Sequence, residues 1–254
     1  MIPVYAVGDA GTAIRLLAGR AILVSHAYIG SFVPVDKLAD LRTAATELWC
    51  DSGAFTYWNR ERKGEATSTI TVDAWAEFII AHGDRFDFFI TLDEIGNASG
   101  SMENWLRLLA MVPKHLHPKL VPVWHEGDPI EHLVEYRPAE RLVGLGRTKG
   151  RLAGPAGKKA TLEFYDAAFN EYPDGIYHLL GNCNPDTIEG FDARSFDATT
   201  WQRDSAYGNS HGWPWCAVTK ETRMRAYIEA IATIRYRPRT RAMEQQLITF
   251  DKAV

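Results

Sequence analysis

Residues 72–125 decide the fold. They contain VDAWAEFIIAH (Val72–His82), FFITLD (Phe88–Asp93), MENWLRLLAM (Met102–Met111) and LVPVWH (Leu120–His125). The first and third segments space their apolar residues as one face of a helix. The second and fourth are short, nearly continuous apolar runs, as expected of strands buried on both faces of a parallel sheet. Ser101 is placed to cap the second helix, and Pro113 follows its end.

The same alternation continues in both directions. Strands are predicted near Ile2–Val7, Ala21–Ser25, Glu47–Asp51, Leu142–Gly146, Ile176–Gly181 and Ser195–Thr199, with helices over Thr161–Phe169 and Thr222–Ile234. Eight strand signals alternating with helices predict an α/β fold, a compact (β/α)8 TIM-type barrel. An open doubly wound sheet is the structural alternative. The 254 residues suit one barrel domain, with a basic C-terminal helix and tail over about residues 219–254. Arg235–Arg241 (RYRPRTR) reads as an exit from the last helix, broken at Pro238.

Apolar residues make up 46% and charged residues 24%, which argues against disorder. No apolar run reaches the roughly 18 residues of a membrane span, so no membrane partner is expected. Met1-Ile2-Pro3-Val4-Tyr5 lacks the basic start and apolar stretch of a signal peptide, so a cytoplasmic location is expected. The cysteines Cys50, Cys183 and Cys216 are widely spaced and odd in number, which favours a reducing compartment without disulfides.

Net charge is −4, yet the charge is uneven. Arg141–Lys159 holds six basic residues and no acidic one; Thr219–Arg241 holds seven basic residues against Glu221 and Glu229. Such faces on an acidic body can contact phosphates. A solvated surface is the plainer explanation for either.

In a barrel, the carboxyl ends of the strands meet at one face, where chemistry sits. The third run ends in Asp51-Ser52-Gly53, the fourth in Asp93-Glu94 and the fifth in His125-Glu126-Gly127. The sixth ends in Gly144-Leu145-Gly146, the seventh in Gly181-Asn182 and the eighth near Asp197. A single Asp at such a place is more often a helix cap or turn former. Three of them with a His and Gly-rich turns point to a site. Paired carboxylates suit chemistry at a sugar anomeric carbon, one attacking or stabilising the centre and the other moving a proton on the leaving group. Phe55 and Leu179-Leu180 could flank an aromatic ring. These residues alone do not choose between a glycan and a nucleoside.

Metal and cofactor signals are weak. His115-x-His117 precedes a strand, Cys216 and His211 lack a second Cys, and Gly8-x-x-Gly11 lacks a dinucleotide or P-loop spacing. No cofactor and no metal are expected. Cys50 should point opposite to Asp51 along a strand, as a core residue.

Leu48–Phe55 (LWCDSGAF) resembles the DSGGF motif of the queuine and archaeosine tRNA-guanine transglycosylases. Seven further segments are similar to that family in the same order: PVYAVGDAGT (Pro3–Thr12), ILVSHAY (Ile22–Tyr28), TLDE (Thr91–Glu94), VWHEG (Val123–Gly127), VGL (Val143–Leu145), HLLGNCNPD (His178–Asp186) and SFD (Ser195–Asp197). Together they span about residues 2–200. Departures are equally informative. The family's CxCxxC…H zinc set is missing, since only Cys216 follows Asp197; Ala54 replaces a glycine, and His125 a glutamine. A compact relative with these changes looks most like the phage-type DNA 7-deazaguanine transglycosylases. That subfamily replaces guanine in DNA with a 7-deazaguanine such as preQ0 and so protects a phage genome from restriction.

The resemblance implies residue roles. Asp197 matches the nucleophile that attacks C1′, and Asp51 the acid/base that manages the proton on leaving and entering bases. Asp93 matches the acceptor for the base's Watson–Crick edge. Ser52 falls in the base-binding motif. His125 stands where a glutamine would donate to O6. Gly144 and Leu145 match backbone contacts to the base, Phe55 and Leu180 the pair that sandwiches its ring, and His26 the residue that orients the acid/base Asp.

The implied partners are DNA and a free 7-deazaguanine base, with a homodimer possible and host cytoplasm the location if the gene is a phage's. The target nucleotide would have to be flipped out. Arg147, Lys149, Arg151 and Lys158 are candidates for a phosphate clamp. Arg203, Tyr207 and Trp213, in the aromatic-rich Trp201–Trp215 segment, are candidate DNA contacts. A lid folded onto the barrel mouth is the plainer reading of that segment. Competing readings are a tRNA-directed transglycosylase, a barrel glycoside hydrolase and a catalytically dead nucleic-acid-binding relative.

Overall fold

A computed structural model describes residues 1–65, 70–147, 154–198 and 219–238. Its strands are β1 (Ile2–Val7), β2 (Ala21–Ser25), β3 (Leu48–Asp51), β4 (Phe88–Ile90), β5 (Leu120–Val121), β6 (Val123–His125), β7 (Leu142–Gly146), β8 (Ile176–Leu179) and β9 (Ser195–Ala198). Their order in the sheet is β5-β4-β3-β2-β1-β9-β8-β7-β6, and every pairing is parallel. The two edges of this order, β5 and β6, are halves of one run separated by Pro122. Proline lacks an amide hydrogen and interrupts the ladder, but its carbonyl still accepts from the Gly144 amide at 2.8 Å. The sheet is therefore a nearly closed α/β barrel with its seam at Pro122, and the open doubly wound alternative is excluded.

The register fits a TIM-type barrel. Ile2 is level with His178 when traced through Ser195 on β9. Traced the other way, through β2 to β8, the pairing arrives eight residues lower on β8. That offset is the shear of 8 associated with eight-stranded barrels of this class.

Alternation along the strands builds two apolar layers. Val4, Ala6, Ala21, Leu23, Trp49, Ile90, Val121, Val123 and Leu142 fill the barrel. Tyr5, Val7, Ile22, Val24, Cys50, Phe89, Trp124, Leu145, Tyr177 and Phe196 face the surrounding helices. Those helices are α1 (Ala10–Leu17), α2 (Leu38–Ala44), α3 (Ala54–Arg62), α4 (Val72–His82), α5 (Ala98–Met111), α6 (Ile130–Tyr136), α7 (Gly154–Glu171), α8 (Pro185–Ile188) and α9 (Lys220–Ala232). The amino end of the barrel is plugged. Glu47 accepts from the Trp49 indole at 2.9 Å and from Arg194 at 2.6 Å, and the Arg194 guanidinium lies 4.8 Å from the Phe88 ring centroid.

Some boundaries differ from the sequence reading. The second helix starts at Ala98, with Asn97 as its cap accepting from Gly100 N at 3.1 Å. Ser101 lies inside that helix, and its hydroxyl instead accepts from the Glu94 amide at 2.8 Å. A capping Asn four residues upstream outcompetes it, and Ala98-Ser99-Gly100 carries no apolar period that would have revealed the extra turn. Likewise α7 begins at Gly154, ahead of Thr161, because Pro155 is tolerated in a first turn where its missing amide costs nothing. The last helix is capped by Thr219 and ends at Ala232.

Candidate active site

The carboxyl end of the barrel carries the polar residues. Asp51 closes β3, Asp197 lies one residue from the end of β9, and Asp93 follows β4. Asp51 and Asp197 take inward-facing positions, because Trp49 and Ser195 two residues earlier point into the barrel. Asp93 lies beyond the end of β4, where the loop rather than strand parity turns it to His125 and within electrostatic reach of Asp51.

Each carboxylate has its own neighbours. Burial, together with the charges of Asp93 and Asp197, pushes the Asp51 carboxyl up from its ordinary range to about 7. Asp51 accepts from the Gly53 amide at 3.2 Å. The Ser25 hydroxyl is buried and makes no hydrogen bond within geometric limits, but it is close enough to favour the ionised form of Asp51. Asp93 Oδ2 lies 2.9 Å from His125 Nε2. Asp128 sits on the other side of that ring, 3.6 Å from Nδ1, and accepts from the His125 amide at 3.0 Å. Burial opposes the His125 cation, but the hydrogen bonds of Asp128 and Asp93 outweigh it and raise the imidazole to about 9. Asp197 Oδ1 accepts from the Gly181 amide at 2.7 Å and lies 3.3 Å from His178 Nε2.

Two glycines make this packing possible. A side chain at Gly146 would meet the His125 ring at 2.8 Å, and one at Gly144 would meet Leu180 Cδ1 at 2.9 Å. The alternate-glycine pattern of Leu142–Gly146 hollows out the barrel interior for His125 and Leu180. Gly53, at φ +86, allows the tight exit from β3 into α3.

No family model matches the chain, and no curated protein matches it. The resemblance to the transglycosylases is therefore one of sequence motifs alone.

Other candidates divide between the mouth and the interior. At the mouth, Leu180 is half-buried and Phe55 is exposed at the start of α3, with its ring 5.9 Å from Trp58. Away from substrate reach, Ser52 is fully buried and its hydroxyl donates to the Thr91 carbonyl at 3.2 Å, tying the loop of Asp51 to that of Asp93. The Gly144 amide is committed to Pro122, the Leu145 carbonyl accepts from Leu180 N at 3.0 Å, and the Leu145 side chain faces the helices.

His26 needs a correction. It does not orient Asp51. Its ring packs edge-on against Trp75 and Phe78 of α4, at 5.3 and 4.7 Å, on the outer side of the barrel. Strand alternation is the reason: Leu23 points inward, so Ser25 does too and His26 does not. His125 differs as well, since both ring nitrogens face carboxylates and leave no donor for a base. Arg147 is likewise no free clamp. It pairs with Glu126 at 3.0 Å and donates to Gly157 O and Thr161 Oγ1 at 3.1 and 2.7 Å. Lys158 is solvent-facing and pairs with Asp186 at 3.2 Å. Lys149, Arg151, Arg203, Tyr207 and Trp213 lie outside the described residues.

Sequence reasoning assigned no role to Ser25, Asp128, His178 or Gly181. Ser25 and His178 did carry a signal, a polar residue at an inward position of an otherwise apolar strand. Among the described residues no His, Cys, Asp or Glu group is arranged to hold a metal ion, and no helix is long and apolar enough to cross a membrane.

Proposed function

We propose that the protein is a guanine transglycosylase, a pentosyltransferase that exchanges guanine in DNA for a free 7-deazaguanine base. The observation that carries this reading is the convergence of Asp51, Asp93 and Asp197 at the barrel mouth, with Asp51 held near 7. A carboxyl in that range can give and take a proton at neutral pH.

The chemistry is a double displacement. Asp197 attacks C1′ of the flipped nucleotide as the C1′–N9 bond breaks, and Asp51 gives its proton to the leaving guanine. The 7-deazaguanine then loses its N9 proton to Asp51 and attacks C1′, which releases Asp197 with net retention. Asp93, held by His125, accepts from the N–H groups of the base edge. Leu180 and Phe55 are near enough to the mouth to bracket a flat ring.

The DNA assignment rests on the lone Cys216 after Asp197, where the tRNA enzymes carry a zinc-binding set. The test is incorporation of isotope-labelled guanine or preQ0 into duplex DNA, single-stranded DNA and tRNA, read by nucleoside mass spectrometry with Asp197→Ala as control. Label in DNA alone, lost in the variant, supports the proposal. Label in tRNA alone moves the substrate to RNA, and no label in any polymer removes the reading.

A further inference from the structure

His178 is a polar side chain where the barrel needs none. It sits on β8 in the layer beneath the carboxylates, fully buried, with its ring 4.7 Å from that of Trp49. Trp49 is itself fixed by its indole hydrogen bond to Glu47. The imidazole is therefore held between a rigid aromatic face and the two inward residues of β9. Nδ1 lies 2.9 Å from Ser195 Oγ. Nε2 makes no aligned hydrogen bond, and the polar atom facing it is Asp197 Oδ1 at 3.3 Å. A buried imidazole nitrogen without an aligned partner is destabilising, and such groups concentrate where function requires them.

We infer that His178 is a positioning residue that steers the Asp197 carboxylate, donating from Nε2 to Oδ1 while Ser195 donates to Nδ1. This rests on the proposed role of Asp197 as nucleophile. A lone pair on Nε2 would repel the carboxylate, so the ring carries its hydrogen there, and the Ser195 hydroxyl fixes that tautomer. Gly181 N–H donates to the same oxygen. Both donors thus occupy Oδ1, and among the described residues none bonds Oδ2. One oxygen is anchored and the other keeps its lone pairs for the anomeric carbon. A contact at 3.3 Å tightens as the carboxylate turns toward a reacting carbon, as catalytic hydrogen bonds commonly do.

The test pairs a titration with a rate. The 13C-carboxyl midpoint of Asp197 is followed by NMR in the wild type, His178→Phe, His178→Gln and Ser195→Ala, with near-UV circular dichroism to establish folding. The imidazole tautomer is read from 15N shifts. Single-turnover base release is measured in parallel. Hydrogen on Nε2, an Asp197 midpoint raised in His178→Phe, and its recovery in His178→Gln are expected, because the amide nitrogen of Gln reaches where Nε2 was. Base release should fall about 100-fold in His178→Phe, the scale of a misplaced reacting group, with KM for the free base unchanged. Ser195→Ala should lie between, and it preserves the fold if the Phe variant does not. An unmoved Asp197 midpoint in folded variants, or hydrogen on Nδ1 alone, overturns the inference. If the wild type exchanges no base, the proposed function fails, while the midpoint shift still decides for or against His178.

Discussion

His125 Nε2 and Asp93 Oδ2 are 2.9 Å apart, and both side chains are nearly buried. With Asp128 on the opposite nitrogen, the imidazole is a cation between two anions. The expected loss in His125→Ala is about 3–5 kcal/mol, because it strands two carboxylates without their counter-charge. Urea unfolding at neutral pH measures it. A loss below about 1 kcal/mol would mean that the three groups do not act as a charged unit.

The same cluster has a pH signature. The folded imidazole titrates near 9 against an ordinary 6.5. A raised folded value means that the stabilisation is fully present below about 6.5 and is lost as pH rises through about 9. The difference in stability between wild type and His125→Gln should therefore shrink across that window. A difference that stays constant from about pH 6 to pH 10 would contradict the linkage.

Ionising Asp51 has the same sign for stability as deprotonating His125, and here function and stability pull in opposite directions. Its carboxyl is raised from 3.8 to about 7, so the stability tied to its proton is complete below 3.8 and lost as pH rises through 7. Ionised Asp51 then burdens the fold by up to about 4 kcal/mol. Asp51→Asn is expected to stabilise the protein at about pH 8 while abolishing base release. The first half-reaction in the wild type should lose rate above pH 7, because it consumes the protonated form. Equal thermal midpoints for wild type and Asp51→Asn at about pH 8 would count against the burial effect.

The fold was legible because strand and helix periods differ so clearly in this chain. Val72–His82 has the boundaries that its apolar spacing predicts, and β1, β2 and β7 match residue for residue. The three aspartates were legible for a related reason: each interrupts or ends an apolar run where the chain surfaces. What failed was the direction of individual side chains. His26 matched a motif position, yet parity from Leu23 turns it outward into Trp75 and Phe78. Partners from distant segments were invisible too. The Arg141–Lys159 stretch contains no acid, but Glu126 and Asp186, from other segments, approach two of its basic residues in space. A charge window in sequence does not foresee neutralisation by other elements.

That neutralisation separates Arg147 from Lys158. Arg147 is mostly buried and joins Glu126 to the first turns of α7. Arg147→Ala should lower stability by about 1–3 kcal/mol, because it leaves the largely buried Glu126 carboxylate without its donor; the Gly157 carbonyl still accepts from the Thr161 hydroxyl. It should leave the salt dependence of DNA affinity unchanged. Lys158 is solvent-facing, and its pairing with Asp186 is exposed. Lys158→Ala should reduce the slope of log affinity against log salt by about 1 if it meets a phosphate. A slope altered by Arg147→Ala and untouched by Lys158→Ala would reverse this assignment.

Gly53 offers a test of the turn that presents Asp51. Its φ of +86 lies in the left-handed region, and an added Cβ would stand 2.9 Å from Ala27 Cβ, 3.1 Å from Ala27 N and 3.2 Å from Ser25 Oγ. The left-handed conformation alone costs a side chain about 1–2 kcal/mol. The nearby Ala27 backbone leaves little room for relief, so Gly53→Ala should lose more than that figure. The accommodation must move either the Ser25–Ala27 segment or the Gly53 amide that donates to Asp51. Either movement withdraws a group that favours ionised Asp51, so its titration should rise from about 7. A 13C titration of Asp51 in Gly53→Ala checks the direction. A folded variant with an unshifted Asp51 would show that the turn shapes the backbone without tuning the acid.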